Sequence, residues 1–165
     1  IRRLEGEYDP IDEAEKYLEL LQVEKKEDIM RAIQESHSWM VKNRVLCELN
    51  IRHDHKPCYL YLFDHDLPGN EAGSFHSSEL WYVFGTVARC WRPMTGTDYD
   101  ISRVMTKSWA NFAKQKNPNG EGVPEWKPYQ PENPQNMVFS EKTECKEIKE
   151  LEVQRYLKEI MLEHA

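Results

Sequence analysis

One short apolar run, Cys58 to Phe63 ("CYLYLF"), limits more than any other feature what this chain can fold into. The run does not alternate apolar with polar residues, and it lies between a proline and a turn-rich segment, which is typical of a buried strand in a parallel sheet covered by helices. Such a strand needs neighbouring strands. The chain offers one other candidate, Met137 to Phe139. The sequence therefore predicts that most of the sheet lies elsewhere.

Amphipathic helices are expected in most of the remaining chain. One begins at Pro10, and the stretch from Lys26 to Leu49 is expected to form two helices or one helix broken near 36–38. A further helix, with Asp98 or Asp100 as its cap, carries on one face Ile101, Val104, Met105, Trp109, Phe112 and Ala113. The last helix runs through Ile148, Leu151, Tyr156, Leu157, Ile160 and Met161. The predicted fold class is α/β, mostly helical, with one main strand at about 58–63 and a short strand at about 137–139.

Composition argues against two kinds of partner. The chain has 29 acidic residues against 22 Lys and Arg, a net charge of −7 and no basic cluster, so no nucleic-acid partner is expected. No run approaches the roughly 20 apolar residues of a membrane span, so no membrane association is expected.

The four cysteines lack the paired spacing of a disulfide scaffold or zinc site. We expect reduced thiols, which favours a cytoplasmic location.

The stretch "GSFHSSELWYVFG", residues 73–85, raises the question of catalysis. His76 follows the main strand, and the carboxyl ends of strands are where open α/β sheets bind ligands. A helix is expected to begin at about Ser77, with an apolar face formed by Leu80, Trp81, Val83 and Phe84. A helix N-terminus favours the neutral imidazole that can accept a proton, although Glu79 would oppose this. Position alone leaves two interpretations, a catalytic base or a capping and loop-bonding residue.

The amino-acid sequence of this region resembles that of the type B carboxylesterases, the cholinesterase-like branch of the α/β-hydrolases. The phrase "YLYLFDHDLPGNEAGSFHSSELWYVFGT" is similar to their segment in which the catalytic histidine follows a Gly-x-x step and precedes a Glu and an aromatic helix. Later phrases, "SWANFAKQKNPNG", "VPEWKPY" and "NMVFSEKTEC", are similar to family phrases in the same order. Together they extend from Pro57 to about Cys145 and are similar in particular to the para-nitrobenzyl esterase kind.

The resemblance implies that His76 is the catalytic histidine of a Ser-acid-His triad that hydrolyses small-molecule carboxylic esters, without cofactor or metal. The chain departs from the family pattern in three respects. It contains no Gly-x-Ser-x-Gly nucleophile motif and no Gly-Gly-Gly oxyanion loop, and no acidic residue before His76 lies in a recognisable strand-end phrase. We therefore expect residues 1–165 to be a single C-terminal fragment of a carboxylesterase catalytic domain. By itself, this fragment should be inactive. It should also self-associate, because the N-terminal part of the domain, its expected partner, is missing.

Two other hypotheses remain open. A metal site is one, because potential ligands occur close together at His53, His55, Cys58, Asp64, His65 and Asp66, although the apolar strand divides them and His65 is more simply a loop residue. The other is a non-catalytic, cholinesterase-like binding module with an exposed aromatic patch formed by Trp39, Trp81, Trp91, Trp109 and Trp126. Trp81 and Trp109 fall on apolar helix faces, which favours a place in the core.

Overall fold

The computed structural model describes residues 19–20, 39–53 and 56–163. The described residues divide into two compact units, one of residues 56–148 and one that contains residues 19–20, 39–53 and 149–163. The helix predicted from Pro10 and the start of the stretch from Lys26 lie outside the described residues, apart from the helical pair 19–20. In chain order the elements are α1 (Trp39–Arg52), β1 (Tyr61–Phe63), α2 (Leu80–Val83), a 3-10 helix (Val87–Arg89), α3 (Gly96–Gln115), β2 (Gln135–Phe139), β3 (Glu144–Glu147) and α4 (Glu152–Glu163).

The 56–148 unit is built on a three-stranded sheet with the order β1-β2-β3. Strands β1 and β2 are parallel, with Tyr61 opposite Met137 and Phe63 opposite Phe139. The parallel pairing agrees with the prediction, and Asp64 extends it because its N–H donates to the Phe139 carbonyl at 2.9 Å. Strand β1 is shorter than the predicted 58–63 run. Its first residue, Tyr61, is 39% exposed and the next two are half-buried, so the described chain covers β1 only in part.

Strand β3 was not predicted. It pairs antiparallel with β2, and Met137 lies opposite Cys145. Its sequence, Glu-Cys-Lys-Glu, has no apolar pattern because it forms the outer edge of the sheet, where main-chain pairing suffices and charged side chains discourage further strand addition. Lys142 and Lys146 both pair with Glu144 there.

The core of this unit lies where α2 and α3 pack on the sheet. Its buried members are Tyr82, Val87, Ile101, Met105, Trp126, Met137 and Phe139. The predicted apolar face of α3 is confirmed for Ile101 and Met105 but fails at Phe112, which is 46% exposed. Trp126 comes from the proline-rich loop and donates its indole N–H to the Leu60 carbonyl at 2.9 Å. The loop is thereby fixed to the start of β1.

The other unit contains α1 and α4, which pack against each other. Arg44 of α1 is 1% exposed, and its Nη1 lies 2.9 Å from Oε1 of Glu150. Lys158 of α4 pairs with Glu48 at 3.0 Å. These ion pairs join α1 to α4 and to Glu150, which lies two residues before α4. Val153 is buried in α4, whereas α1 buries Val41, Val45 and Cys47. The final helix begins later than predicted, after Leu151.

Candidate active site

The loop from Leu67 to His76, here called the histidine loop, connects the end of β1 to the region of α2. Its base is closed by Leu67, whose N–H donates to the Gly73 carbonyl at 3.4 Å. Gly73 has φ +60°, in the left-handed region that favours glycine, so the chain can reverse there. The loop thus turns back on itself between Leu67 and Gly73, three residues before His76.

His76 lies on a tight turn that the neighbouring residues close on themselves. The Ser78 N–H donates to the Phe75 carbonyl at 2.9 Å, and the Phe75 N–H donates to Oγ of Ser78 at 3.3 Å. Ser78 is fully buried, and Ser77 has φ +69°, which is uncommon for a residue with a side chain. His76 itself is exposed. The turn therefore holds its backbone by local hydrogen bonds and leaves its imidazole accessible.

The predicted helix start at Ser77 is wrong. Residues 76–79 form turns, and α2 begins at Leu80 and is only four residues long. A helix this short provides little macrodipole, so the expected effect of a helix N-terminus on His76 does not apply. Its inward face also differs from the prediction, because Tyr82 is buried while Leu80 and Phe84 are exposed. Trp81 and Val83 of the predicted face do pack against the core.

A second histidine, His65, belongs to a buried network that sequence reasoning missed. Its Nε2 lies 2.9 Å from Oδ1 of Asp98, and the Tyr82 hydroxyl donates to the same oxygen at 2.6 Å. Thr95 donates to Oδ2 from its backbone N–H at 2.6 Å and from its hydroxyl at 2.8 Å. His65 and Asp98 are 8% and 1% exposed. His65 is therefore a loop residue, as expected, but an inward-facing one.

Burial raises the pKa of Asp98, but hydrogen bonds from Tyr82, Thr95 and His65 outweigh it and lower the pKa to about 2. The pKa of Tyr82 is raised, first by burial and then by its bond to the Asp98 carboxylate.

Thr95 is the N-cap of α3 and Asp98 its third residue, so the prediction that Asp98 or Asp100 is the cap is wrong. The Thr-x-x-acid spacing of a capping box was the available signal.

The proposed metal ligands do not come together in the described residues. Among those residues, which do not include His55, no group of three or more His, Cys, Asp or Glu side chains could hold a metal ion. None of the four cysteines, all of which lie among the described residues, is in a disulfide bond. None of the helices in residues 39–53 and 56–163 has the length and apolar character of a membrane span.

The five tryptophans occupy different environments. Trp126 is buried, and Trp81 and Trp109 pack against the core, as predicted for the latter two. Trp39 and Trp91 are 71% and 76% exposed, but they belong to different units. The aromatic residues thus contribute chiefly to the core of the 56–148 unit.

Comparison with known proteins places this geometry in a family. The model described as "Carboxylesterase family" matches residues 12–159. Cocaine esterase of Oryctolagus cuniculus is 34% identical over 84 residues, which cover 47% of this chain and 16% of that protein. Carboxylesterase 1E of Mus musculus is 32% identical over 105 residues, 59% of this chain and 18% of that protein. The chain thus spans less than a fifth of these relatives.

Solved structures give the same result for the fold. One PNB esterase matches with a TM-score of 0.54 and 27% identity, over 63% of this chain and 22% of that one. A thermophilic PNB esterase matches with a TM-score of 0.58 over 95% of this chain and 35% of that one, at 20% identity. The small sheet and its helices are consistent with part of an α/β-hydrolase fold. The chain belongs to the type B carboxylesterase family of the α/β-hydrolase superfamily.

Proposed function

We propose that this chain supplies the catalytic histidine, His76, of a serine carboxylesterase. The observation that carries the proposal is the exposed imidazole on a hydrogen-bonded turn, reached from the carboxyl end of the parallel strand β1. In open α/β sheets this edge is where ligands bind. His65, which precedes the same loop, is buried against Asp98 and cannot reach a substrate without breaking that network.

In the proposed reaction His76 acts as general base and then as general acid. It takes the proton from a serine hydroxyl as the serine oxygen attacks the ester carbonyl carbon. When the carbon–oxygen bond to the alcohol breaks, the imidazolium returns that proton to the leaving alcohol. In the second half His76 removes a proton from the water that attacks the acyl-enzyme, and the proton then goes back to the serine oxygen.

The serine and the triad acid of this proposal are not among the motifs of these residues. No Gly-x-Ser-x-Gly occurs in the sequence. We therefore place both groups in the part of the carboxylesterase domain that this chain does not span, and we propose residues 1–165 as a C-terminal portion of that domain. By itself, the chain should not hydrolyse esters by the triad mechanism.

The test compares p-nitrophenyl butyrate hydrolysis by the 165-residue chain and by the full-length protein that contains it. We expect activity only in the full-length protein, and we expect His76→Ala to lower kcat/KM by at least about 10⁴-fold. His53→Ala, at another exposed histidine, is the matched control and should retain activity. His76-dependent activity in the 165-residue chain would contradict the proposal, and an inactive full-length protein would favour the non-catalytic binding module.

We also propose that the isolated chain self-associates. The sheet order leaves one edge of β1 without a strand partner among the described residues, and the same unit exposes Phe84 and Trp91 by 71% and 76%. Unpaired strand edges and apolar surface favour association. Light scattering at micromolar concentration should show a dimer or larger species. Replacing both aromatic residues by Ser should shift it towards monomer, whereas Trp39→Ser in the other unit should not; a wholly monomeric chain would contradict the proposal.

A further inference from the structure

Arg92 is a buried cation that holds the histidine loop from outside the loop itself. It follows the 3-10 helix and is 8% exposed. Its Nη1 donates to the Pro68 carbonyl at 3.0 Å and to Oδ1 of Asn70 at 2.5 Å. A single guanidinium nitrogen thus binds the first half of the loop at two points.

The same side chain also contacts the other end of the loop. Its guanidinium carbon lies 5.7 Å from the ring centroid of Phe75, the residue immediately before His76, and 4.7 Å from that of Trp91. Cations at such distances are attracted to aromatic faces. Arg92 therefore bridges the two halves of the loop, from Pro68 to Phe75.

The backbone beside Arg92 is packed directly on the loop. A Cβ added at Gly69 would lie 2.8 Å from Cδ of Pro93, and Gly69 has φ +102°. Only glycine accommodates both this approach and this conformation. The Arg92–Pro93 step and the loop therefore fit against each other as a fixed contact.

The charge of Arg92 makes this contact difficult to open. Among the described residues no carboxylate forms an ion pair with Arg92, and its Nε is buried without a hydrogen-bond partner. A buried charge that loses its remaining acceptors is costly. Loop conformations that withdraw Pro68 or Asn70 from the guanidinium are therefore disfavoured.

We propose that Arg92 is a positioning residue for His76, which it orients through Phe75 and the base of the histidine loop. The inference rests on the proposed catalytic function of His76. Arg92 does not contact the reacting atoms in this proposal. It limits where the imidazole can lie relative to the serine, and a misplacement of about 1 Å can lower the rate about 100-fold.

The experiment measures kcat and KM separately for the full-length protein and three variants. We expect Arg92→Ala to lower kcat about 100-fold while KM changes less than about 3-fold. Arg92→Lys should show an intermediate loss, because an ammonium keeps the charge but lacks the planar fork. Added guanidinium chloride, at concentrations that do not unfold the protein, should restore part of the kcat of Arg92→Ala. Arg89→Ala, an exposed arginine of the adjoining 3-10 helix, is the matched control.

The outcomes separate this inference from the proposed function. If His76→Ala abolishes activity while Arg92→Ala behaves like Arg89→Ala, the positioning role is overturned and the triad role stands. If His76→Ala remains active, the proposed function itself fails. Should Arg92→Ala not fold, Asn70→Ala removes one of the same contacts from an exposed residue, and we expect about a 5-fold lower kcat with KM retained. An unchanged kcat in Asn70→Ala would then overturn the inference.

Discussion

His65 and His76 stand at opposite ends of one connection, and the structure gives them opposite environments. The ring of His65 is held 2.9 Å from a buried carboxylate, whereas His76 is exposed on a turn that is closed by backbone and serine groups. Both follow a phenylalanine closely in the sequence. The difference teaches that the contacts around each histidine, rather than the residue type, decide which imidazole is buried against a carboxylate and which is exposed.

The largest expected effect concerns activity. In the full-length protein, His76→Gln should lower kcat/KM by at least about 10⁴-fold, because glutamine cannot transfer the proton. His65→Gln should change it by less than about 10-fold in the folded protein, since its partner is Asp98 and not a substrate. Initial rates with p-nitrophenyl butyrate at low temperature measure both. Equal losses in the two variants would remove the functional distinction between the two histidines.

Substitutions should affect stability in the opposite order, with a larger loss at His65 than at His76. We expect His65→Ala to lower the free energy of unfolding by about 3 kcal/mol, because Asp98 loses a buried partner and a cavity remains. His76→Ala should change it by less than about 0.5 kcal/mol, as is usual at exposed positions. Urea unfolding followed by tryptophan fluorescence compares them. A large loss in His76→Ala would show that its ring is also structural.

Low pH should destabilise the fold through the buried hydrogen-bond network of His65 and Asp98. The pKa of Asp98 falls from 3.8 to about 2 on folding, so its carboxylate stabilises the native chain fully above about pH 4. This contribution is lost as the pH falls from about 4 towards 2, and it amounts to about 2 kcal/mol because one pKa unit corresponds to about 1.4 kcal/mol. Asp98→Asn should abolish that part of the pH dependence. Unfolding free energies at several pH values, compared with those of Asp100→Asn at an exposed aspartate, provide the measurement.

The smallest expected effect concerns Ser77, the residue that follows His76. Ser77 has φ +69°, a conformation that costs a residue with a side chain roughly 1 kcal/mol more than glycine. Ser77→Gly should therefore leave stability unchanged or raise it by up to about 1 kcal/mol. Thermal unfolding measures this, with Ser74→Gly, three residues earlier, as the control. A clear destabilisation would mean that the Ser77 side chain has a role of its own.

The sequence predicted the parts of this fold in which apolar periodicity is strong. The strand around Leu62, the strand at Met137 to Phe139 and the inward face of α3 agree with the structure. Strand β3 could not be predicted in the same way because an edge strand needs main-chain pairing but no apolar pattern. The location of His76 after β1 is predictable from the sequence, whereas the helix expected from about Ser77 begins only at Leu80.

Long-range polar contacts were beyond sequence reasoning. Nothing local distinguishes Asp98 as the partner of His65, since the two are brought together only when α3 packs beside the end of β1. Arg92 is similar, because its acceptors at Pro68 and Asn70 lie on the other side of α2 in the chain. Its burial, rather than its residue type, gives it a role.

The two pairings of β2 have a further consequence for how this unit folds. Val138 meets Glu144 across a short turn, whereas it meets Leu62 only after α2, α3 and the proline-rich loop have been traversed. Closing a long loop costs more chain entropy than closing a short one, and non-local pairing slows folding. We expect the β2–β3 hairpin to form early and β1 to dock late. The segment that carries both histidines would then be among the last of this unit to acquire its native shape.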